Sequence, residues 1–184
     1  MDDLIYNQTK IPKAQWRYGF RTSAATGCGW IATYNALHLM GYGAKPEALI
    51  RYYERQFPLV HGNAGTTILG PAWFFQRHGF PVETLSVTER FDEVAKKADV
   101  CILFYYWRKK FKVGAHFVTV QWNEGKFTGY NTYTTSSGPD DYGASLEVYI
   151  RQHKFYAPVL IAISDKLTYR NRPQIDFQSD ASCF

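Results

Sequence analysis

The sequence predicts an α+β fold in which N-terminal helices pack on a C-terminal antiparallel sheet. Segments with apolar residues at helical spacing occupy the first part of the 184-residue chain, and β-type apolar runs dominate from about residue 100 onward. Short polar stretches separate the later runs, as is typical of antiparallel strands joined by turns. Helices first and strands second indicate α+β rather than alternating α/β order. The length fits one domain spanning residues 1–184, with a core at about 19–164 and a polar tail at 165–184.

The first long helix is predicted from Cys28 to about Met40. Thr26 is a suitable N-terminal cap, and Gly41 and Gly43 interrupt the pattern at the other end. Apolar residues recur on more than one face of this segment, so the helix is expected to be well buried.

Three further helices and a short strand are predicted before residue 100. Each helix has a start signal, either Pro46 in a first turn or a threonine cap at Thr66 or Thr67 and at Thr88. Gly79 ends the third helix. The predicted ranges are about 45–58, 67–79 and 88–98 for the helices and 82–87 for the strand.

The remainder of the chain is predicted to supply the sheet. Its strands are expected at 100–107, 115–122, 126–130 and 157–164. A basic connection covers 108–112, a tight turn covers 123–125, and residues 136–143 are polar and turn-rich. Residues 146–152 fit either a helix or a strand.

Composition and charge exclude some classes of function. A formal net charge of +5 is too modest for a dedicated nucleic-acid binder, so no nucleic-acid partner is expected. The run at 107–112 mixes aromatic residues with four cations, but a solvated hairpin end explains it better than a polyanion patch. Aromatic residues reach 17%, which indicates a large core, an aromatic-lined groove, or both.

The three cysteines indicate reduced thiols rather than a disulfide framework. Cys28, Cys101 and Cys183 cannot all pair, and none of them is in CxxC spacing. Cys101 lies in an apolar run and is expected to be an inert core residue. The sequence shows neither a targeting segment nor an apolar run long enough to span a membrane. A cytoplasmic, reducing environment is therefore expected.

Metal and organic cofactors are not expected. The sequence contains no HExxH motif, no CxxC motif and no clustered pair of histidines. It also lacks the glycine-rich fingerprints of phosphate loops and dinucleotide sites.

Cys28 is the candidate nucleophile. It lies between Gly27 and Gly29 at the start of the first long helix. A helix N-terminus offers unpaired amide N–H groups and the positive end of the dipole, and both favour a thiolate. The same amides can bind the oxyanion of a tetrahedral intermediate. The alternative is a small buried cysteine without catalytic function.

His116 is the candidate acid/base, and Asn131 is the candidate orienting residue. His116 opens one β-type run and Asn131 ends the next, so an antiparallel hairpin would bring them together. The side-chain carbonyl of Asn131 is expected to accept a hydrogen bond from the imidazole nitrogen that does not face sulfur. Alone, each also fits a structural role. Asp140 or Asp141 are substitutes for Asn131, and His61, in a glycine-containing loop, is the reserve base.

Three motifs together resemble the papain-like cysteine peptidase superfamily, and the layout is most similar to its bacteriocin-processing branch. They are CGW at 28–30, GAHFVTV at 114–120 and GYN at 129–131. The resemblance covers roughly residues 19–164. It implies a papain-like fold and a bacterial thiol protease with a catalytic triad. In that triad Cys28 is the nucleophile, His116 the acid/base and Asn131 the orienting residue.

This family carries a glutamine six residues before the cysteine as a donor to the oxyanion. Thr22 stands at that position here, so Thr22, Ser23 and Gln15 are the candidate donors, together with the Cys28 N–H. The bacteriocin-processing branch also tends to have an acidic residue before the cysteine and an aspartate as third member. This chain has Gly27 and Asn131 at those places.

The sequence therefore predicts a thiol hydrolase, and first of all a cysteine peptidase acting on a peptide or protein through an acyl-enzyme. One alternative is an inactive papain-like module that binds peptides, which the missing glutamine favours. The other is an acyl or amide transferase that uses the same triad.

Overall fold

The computed structural model describes residues 4–56, 65–110 and 112–165. Its architecture is α+β, as predicted, because a helical first half packs on an antiparallel sheet formed mainly by the second half. The predicted polar tail lies outside the described residues from 166 onward, and so does Cys183.

Six α-helices occur in the described ranges. They are α1 (Ser23–Thr26), α2 (Cys28–Leu39), α3 (Pro46–Gln56), α4 (Gly70–Arg77), α5 (Phe91–Ala95) and α6 (Leu146–Gln152). The predictions for the start and end of α2 and for the start of α3 at Pro46 are confirmed. The last of the six resolves the helix-or-strand alternative, because Ser145 caps it by accepting the Val148 N–H at 3.2 Å.

The strands form one small and one large sheet. The small sheet pairs β1 (Arg17–Tyr18) with β2 (Arg21–Thr22). The strands of the large sheet are β3 (Val82–Leu85), β4 (Val100–Lys109), β5 (Lys112–Asn123), β6 (Lys126–Tyr130), β7 (Asp140–Gly143) and β8 (Tyr156–Ile163). Their spatial order is β3-β8-β4-β5-β6-β7, and all neighbours are antiparallel. β7 lies inside the segment that was expected to be only turn-rich.

The expected threonine caps are wrong. Thr26 ends α1 instead of capping α2, and its buried hydroxyl has no hydrogen-bond partner among the described residues. Neither Thr66 nor Thr67 caps α4, which begins at Gly70 with Leu69 as its N-cap. The Thr66 hydroxyl instead shares a hydrogen bond with Tyr18 at 3.0 Å. Thr88 begins a short 3₁₀ turn rather than an α-helix, and α5 follows it.

The large sheet buries both of its faces. Alternate side chains of β4 point to opposite sides. Ile102 and Phe104 join the core beneath α2, α3 and α4, whereas Leu103 and Tyr105 join the core beneath α5 and α6. Cys101 is buried in the second core, so its predicted role as a core cysteine is confirmed. The sheet is therefore the common wall of two apolar layers.

Candidate active site

Helix α2 is fixed against β5, the strand that carries His116. The Thr119 hydroxyl donates to the Ala32 carbonyl at 2.9 Å in the interior between the two elements. The ladder between β5 and β6 begins at Thr119 and Tyr130, so β6 does not extend to His116 and Phe117. The N-terminus of α2 lies at this uncovered edge of β5, where the Phe117 N–H donates to the Cys28 thiol.

Cys28 is the first residue of α2 and is half-buried. Burial raises the pKa of its thiol above the usual value, whereas hydrogen bonds from the backbone N–H groups of Phe117, Cys28 and Gly29 act in the opposite direction. The net direction is upward. The loss of hydration outweighs the three amide donors.

His116 is half-buried on β5 and has a defined tautomer. Its Nε2 lies 2.7 Å from the backbone carbonyl oxygen of Asn131. Because a carbonyl can only accept, Nε2 carries the proton, and Nδ1 of the neutral ring keeps its lone pair. Burial lowers the pKa of His116, and the hydrogen bond to Asn131 partly offsets this. The imidazole is therefore a neutral base with Nδ1 available.

The ring of His116 packs against an aromatic neighbour on the adjacent strand. Tyr105 pairs with His116 across β4 and β5, and the two rings meet edge-on with centroids 6.1 Å apart. Phe155 stacks on the other side of Tyr105 at 3.9 Å. Burial raises the pKa of Tyr105, and the negative charges of nearby groups, Cys28 among them, raise it further. Tyr105 is thus a neutral residue close to both Cys28 and His116.

Asn131 contacts His116, but through a different atom from the one expected. The imidazole binds the backbone carbonyl, whereas the side-chain oxygen of Asn131 accepts the Gln8 N–H at 2.8 Å. The expected side-chain contact is wrong because the left-handed backbone of Asn131, with φ of 64°, presents its carbonyl to the ring. The residue is 3% exposed, so its polar atoms need these internal partners.

The substitutes considered for Asn131 are engaged elsewhere. Asp140 accepts a hydrogen bond from the Ser136 hydroxyl at 2.6 Å, and Asp141 forms an ion pair with Lys126 at 2.8 Å. The reserve base His61 lies outside the described residues. Among these described candidates, Asn131 is the residue that contacts the His116 ring.

The side-chain candidates for oxyanion binding differ in their surroundings. Ser23 is fully buried and accepts a hydrogen bond from Trp30 at 3.2 Å. Gln15 is exposed in a turn, and Thr22 is half-buried in β2 directly before α1. The donors that reach the sulfur are instead backbone amides, those of Cys28, Gly29 and Phe117. Such amides at a helix start can bind an oxyanion that forms next to the sulfur.

The start of α2 packs tightly against the segment that precedes α4. A Cβ added at Gly29 would lie 2.6 Å from the Thr66 hydroxyl oxygen. That hydroxyl shares a hydrogen bond with Tyr18 at 3.0 Å. Burial raises the pKa of Tyr18 to about 12, with the Thr66 hydrogen bond opposing and the charge of Cys28 adding to the rise. The Tyr18 hydroxyl is therefore neutral, and it bonds Thr66 beside the start of α2.

Sequence reasoning missed Tyr105, Gln8 and the Phe117 amide. The register of the β4–β5 hairpin, if assigned from the sequence, would have placed Tyr105 opposite His116. Gln8 has no such signal, since it lies in an irregular N-terminal segment more than 100 residues from its partner Asn131. Phe117 contributes a backbone atom, which its side chain does not indicate.

Neither a metal-ligand cluster nor a membrane-spanning helix occurs among the described residues. Within those residues, no group of three or more His, Cys, Asp or Glu side chains is placed to hold a metal ion. None of the helices described is both long enough and apolar enough to cross a bilayer.

Comparison with known proteins gives a structural likeness at low identity. No family model matches the chain, and no curated protein matches it. Among solved structures, the chain is similar to the peptidase domain of Streptococcus ComA, a bi-functional ABC transporter involved in a quorum-sensing pathway. The identity is 13% and the TM-score 0.48, over 73% of this chain and 90% of that one. At these values the likeness assigns neither a family nor an activity to this chain.

Proposed function

We propose that this protein is a papain-like cysteine peptidase that forms an acyl-enzyme on Cys28. The observation that carries the proposal is the tautomer of His116. Its Nε2–H is bound by the Asn131 carbonyl at 2.7 Å, which leaves Nδ1 as a base on the strand whose next residue contacts the Cys28 sulfur. The order of nucleophile, base and orienting residue along the chain agrees with the motif resemblance described above.

The resting pair in this proposal is a neutral thiol and a neutral imidazole. Burial raises the pKa of Cys28 and lowers the pKa of His116, so neither charged form is favoured before a substrate binds. Nδ1 of His116 takes the thiol proton as sulfur attacks the substrate carbonyl carbon. The amides of Cys28 and Gly29 donate to the oxygen that becomes negative.

The intermediate then collapses to products. The imidazolium returns its proton to the amine nitrogen as the C–N bond breaks, and a thioester remains on Cys28. Water attacks the thioester carbon after giving a proton to His116, and the carboxylic acid product leaves as the sulfur regains a proton. The protein needs no redox partner for this sequence because no atom changes its oxidation state.

Turnover of a mixed peptide library by the full chain, analysed by mass spectrometry, tests the proposal. We expect cleavage by the wild type, and loss of at least 10³-fold in rate for Cys28→Ala and for His116→Gln, as for other nucleophile and base deletions. Cys101→Ala, which alters the other described cysteine, should retain the wild-type rate. Undiminished cleavage by Cys28→Ala would contradict the proposal.

A second candidate is a non-catalytic module that binds peptides. The raised pKa of Cys28 favours it, because a protonated thiol is a poor nucleophile. A peptidyl chloromethyl ketone distinguishes the two, since it alkylates a cysteine that is activated on substrate binding. Modification of Cys28 that depends on His116 supports the peptidase, whereas peptide binding without modification or cleavage supports the module.

A further inference from the structure

We infer that Gln8 is a positioning residue for His116, acting through Asn131. The inference rests on the proposed function, because it assigns the group that keeps the proposed base in its working tautomer. Gln8 lies in the segment 5–10, which sequence patterns mark only as irregular, and it does not belong to the motifs that define the site. Its hydrogen bonds to Asn131 and to Ala24 connect the two sides of the site.

Gln8 holds the Asn131 side chain at two points. The Gln8 backbone N–H donates to Oδ1 of Asn131 at 2.8 Å, and Nδ2 of Asn131 donates to Oε1 of Gln8 at 3.1 Å. The two bonds form a closed ring between the residues, so the amide plane of Asn131 cannot rotate without breaking one of them. Since Asn131 is 3% exposed, water does not readily replace either partner.

The backbone conformation of Asn131 determines where its carbonyl points, and the bonds to its side chain help to hold that conformation. Asn131 has a φ of 64°, a conformation that asparagine tolerates better than most residues but does not prefer. The carbonyl that accepts from Nε2 of His116 at 2.7 Å belongs to this strained residue. A released Asn131 can relax toward ordinary φ values, and that rotation moves the carbonyl away from the ring.

Gln8 is itself anchored to the cysteine side of the site. Its Nε2 donates to the Ala24 carbonyl of α1, the short helix directly before Cys28, at 3.2 Å. The segment is also fixed on the N-terminal side of Gln8, because the backbone of Ile5 makes two hydrogen bonds of 2.9 Å with the Asn35 side chain of α2. The segment therefore links the helix that presents the thiol to the strand end that orients the imidazole.

The consequence concerns the proton on His116. With the carbonyl in place, the Nε2–H tautomer is favoured and Nδ1 is unprotonated. Without it, the neutral ring keeps only the modest intrinsic preference of histidine for Nε2–H, so the fraction with Nδ1–H, which cannot accept the thiol proton, increases. Gln8 would thus affect the chemical step without touching the substrate.

The test combines Gln8→Met with ¹⁵N NMR of the imidazole in the full chain. Methionine keeps the length of glutamine but removes the side-chain bonds to Asn131 and Ala24. We expect a shift of the two His116 nitrogen resonances toward the Nδ1–H tautomer, a changed His116 titration midpoint, and a kcat lowered on the order of tenfold with KM unchanged. Gln76→Met, on the exposed face of α4, is the matched control and should leave all three quantities unchanged.

Asn131→Gly provides an independent variant if Gln8→Met folds poorly. Glycine keeps the backbone carbonyl and accommodates a positive φ, but it cannot be held by Gln8. It should change His116 in the same direction as Gln8→Met and at least as much, because it removes both bonds to Gln8 whereas Gln8→Met keeps the backbone one. The double variant should add little to Asn131→Gly alone. Unchanged His116 resonances in a folded Gln8→Met or Asn131→Gly protein would overturn the inference.

The outcomes also separate this inference from the proposed function. A tautomer shift in a protein that cleaves no peptide supports the role of Gln8 and counts against the peptidase. Full cleavage activity with an unmoved tautomer in the Gln8→Met protein supports the peptidase and refutes the role of Gln8.

Discussion

At the scale of single residues, the protonation of His116 links the site to the stability of the fold. Burial lowers its pKa in the folded protein, whereas the unfolded chain exposes an ordinary imidazole with a pKa of about 6.5. Between the folded and unfolded pKa values, the unfolded state binds more protons. The contribution of His116 to the free energy of unfolding is therefore fully present above pH about 6.5, and it is lost as the pH falls from there through the lower pKa of the folded protein.

This linkage predicts a pH-dependent difference between wild type and His116→Gln. The wild type should lose more of its free energy of unfolding than the variant when the pH falls from 7 to 5, because the variant lacks the titrating group. Urea unfolding at several pH values measures this, and other titrating groups largely cancel in the comparison. Parallel curves for the two proteins would show that His116 titrates normally when folded.

The residues of the site differ in how much their sequence context could predict. In the proposed mechanism Cys28 and His116 act through side chains whose chemistry is rare, so their type and spacing are informative. Asn131 was identified by position, but it contacts His116 through its backbone carbonyl, and this depends on a φ of 64°. Gln8 could not be found, since its role depends on hydrogen bonds that form only after residues 5–10 and 131 meet in the folded protein.

At the scale of elements, α2 was predictable because local signals and tertiary packing agree. Gly27 and Gly41 flank a segment whose apolar residues are buried on more than one face, and the observed helix ends within a residue or two of the prediction. The start of α4 was misplaced because Thr66, which resembles a cap, instead bonds to Tyr18. Local capping signals fail where a distant hydroxyl competes for the same side chain.

The close contact at the start of α2 predicts the effect of Gly29→Ala. The added methyl would approach the Thr66 hydroxyl oxygen to 2.6 Å and its Cβ to 2.7 Å, so Thr66 must move away from Tyr18 or α2 must shift. We expect a loss of about 1–3 kcal/mol in the free energy of unfolding, as for overpacked cores. Thermal or urea unfolding measures the loss.

Gly138→Ala is the control for this substitution. A Cβ at Gly138 meets no atom within 4 Å, so the change should stay within about ±0.5 kcal/mol. If Gly29→Ala were as stable as Gly138→Ala, the packing of α2 against Thr66 would be looser than described.

At the scale of the whole molecule, one sheet separates two apolar layers that cannot come apart independently. Neighbouring residues of β4, such as Ile102 and Leu103, belong to different layers but share one backbone. The same holds for β5, where Thr119 is bonded to α2 and its neighbour Val120 is buried toward α5 and α6. Loss of either layer therefore exposes the strands on which the other depends.

This arrangement predicts a single cooperative unfolding transition that substitutions in either layer weaken. Phe74, in the layer of α2 to α4, and Leu146, in the layer of α5 and α6, are both fully buried. Phe74→Ala should lower the free energy of unfolding by about 3–5 kcal/mol and Leu146→Ala by about 2–5 kcal/mol. Val148→Ala, at a position on α6 that is 47% exposed, should change it by about 0.5 kcal/mol or less.

Native-state hydrogen exchange decides whether the two layers unfold together. In each destabilised variant, the most protected amides of both layers should lose protection by the same free energy, because the slowest exchange occurs through global unfolding. Loss confined to α5 and α6 in Leu146→Ala, with α2 unchanged, would mean two separately folding units. In that case Cys28 could keep its helix while losing the ordered strand that holds His116, and stability of the helical layer would no longer report an intact site.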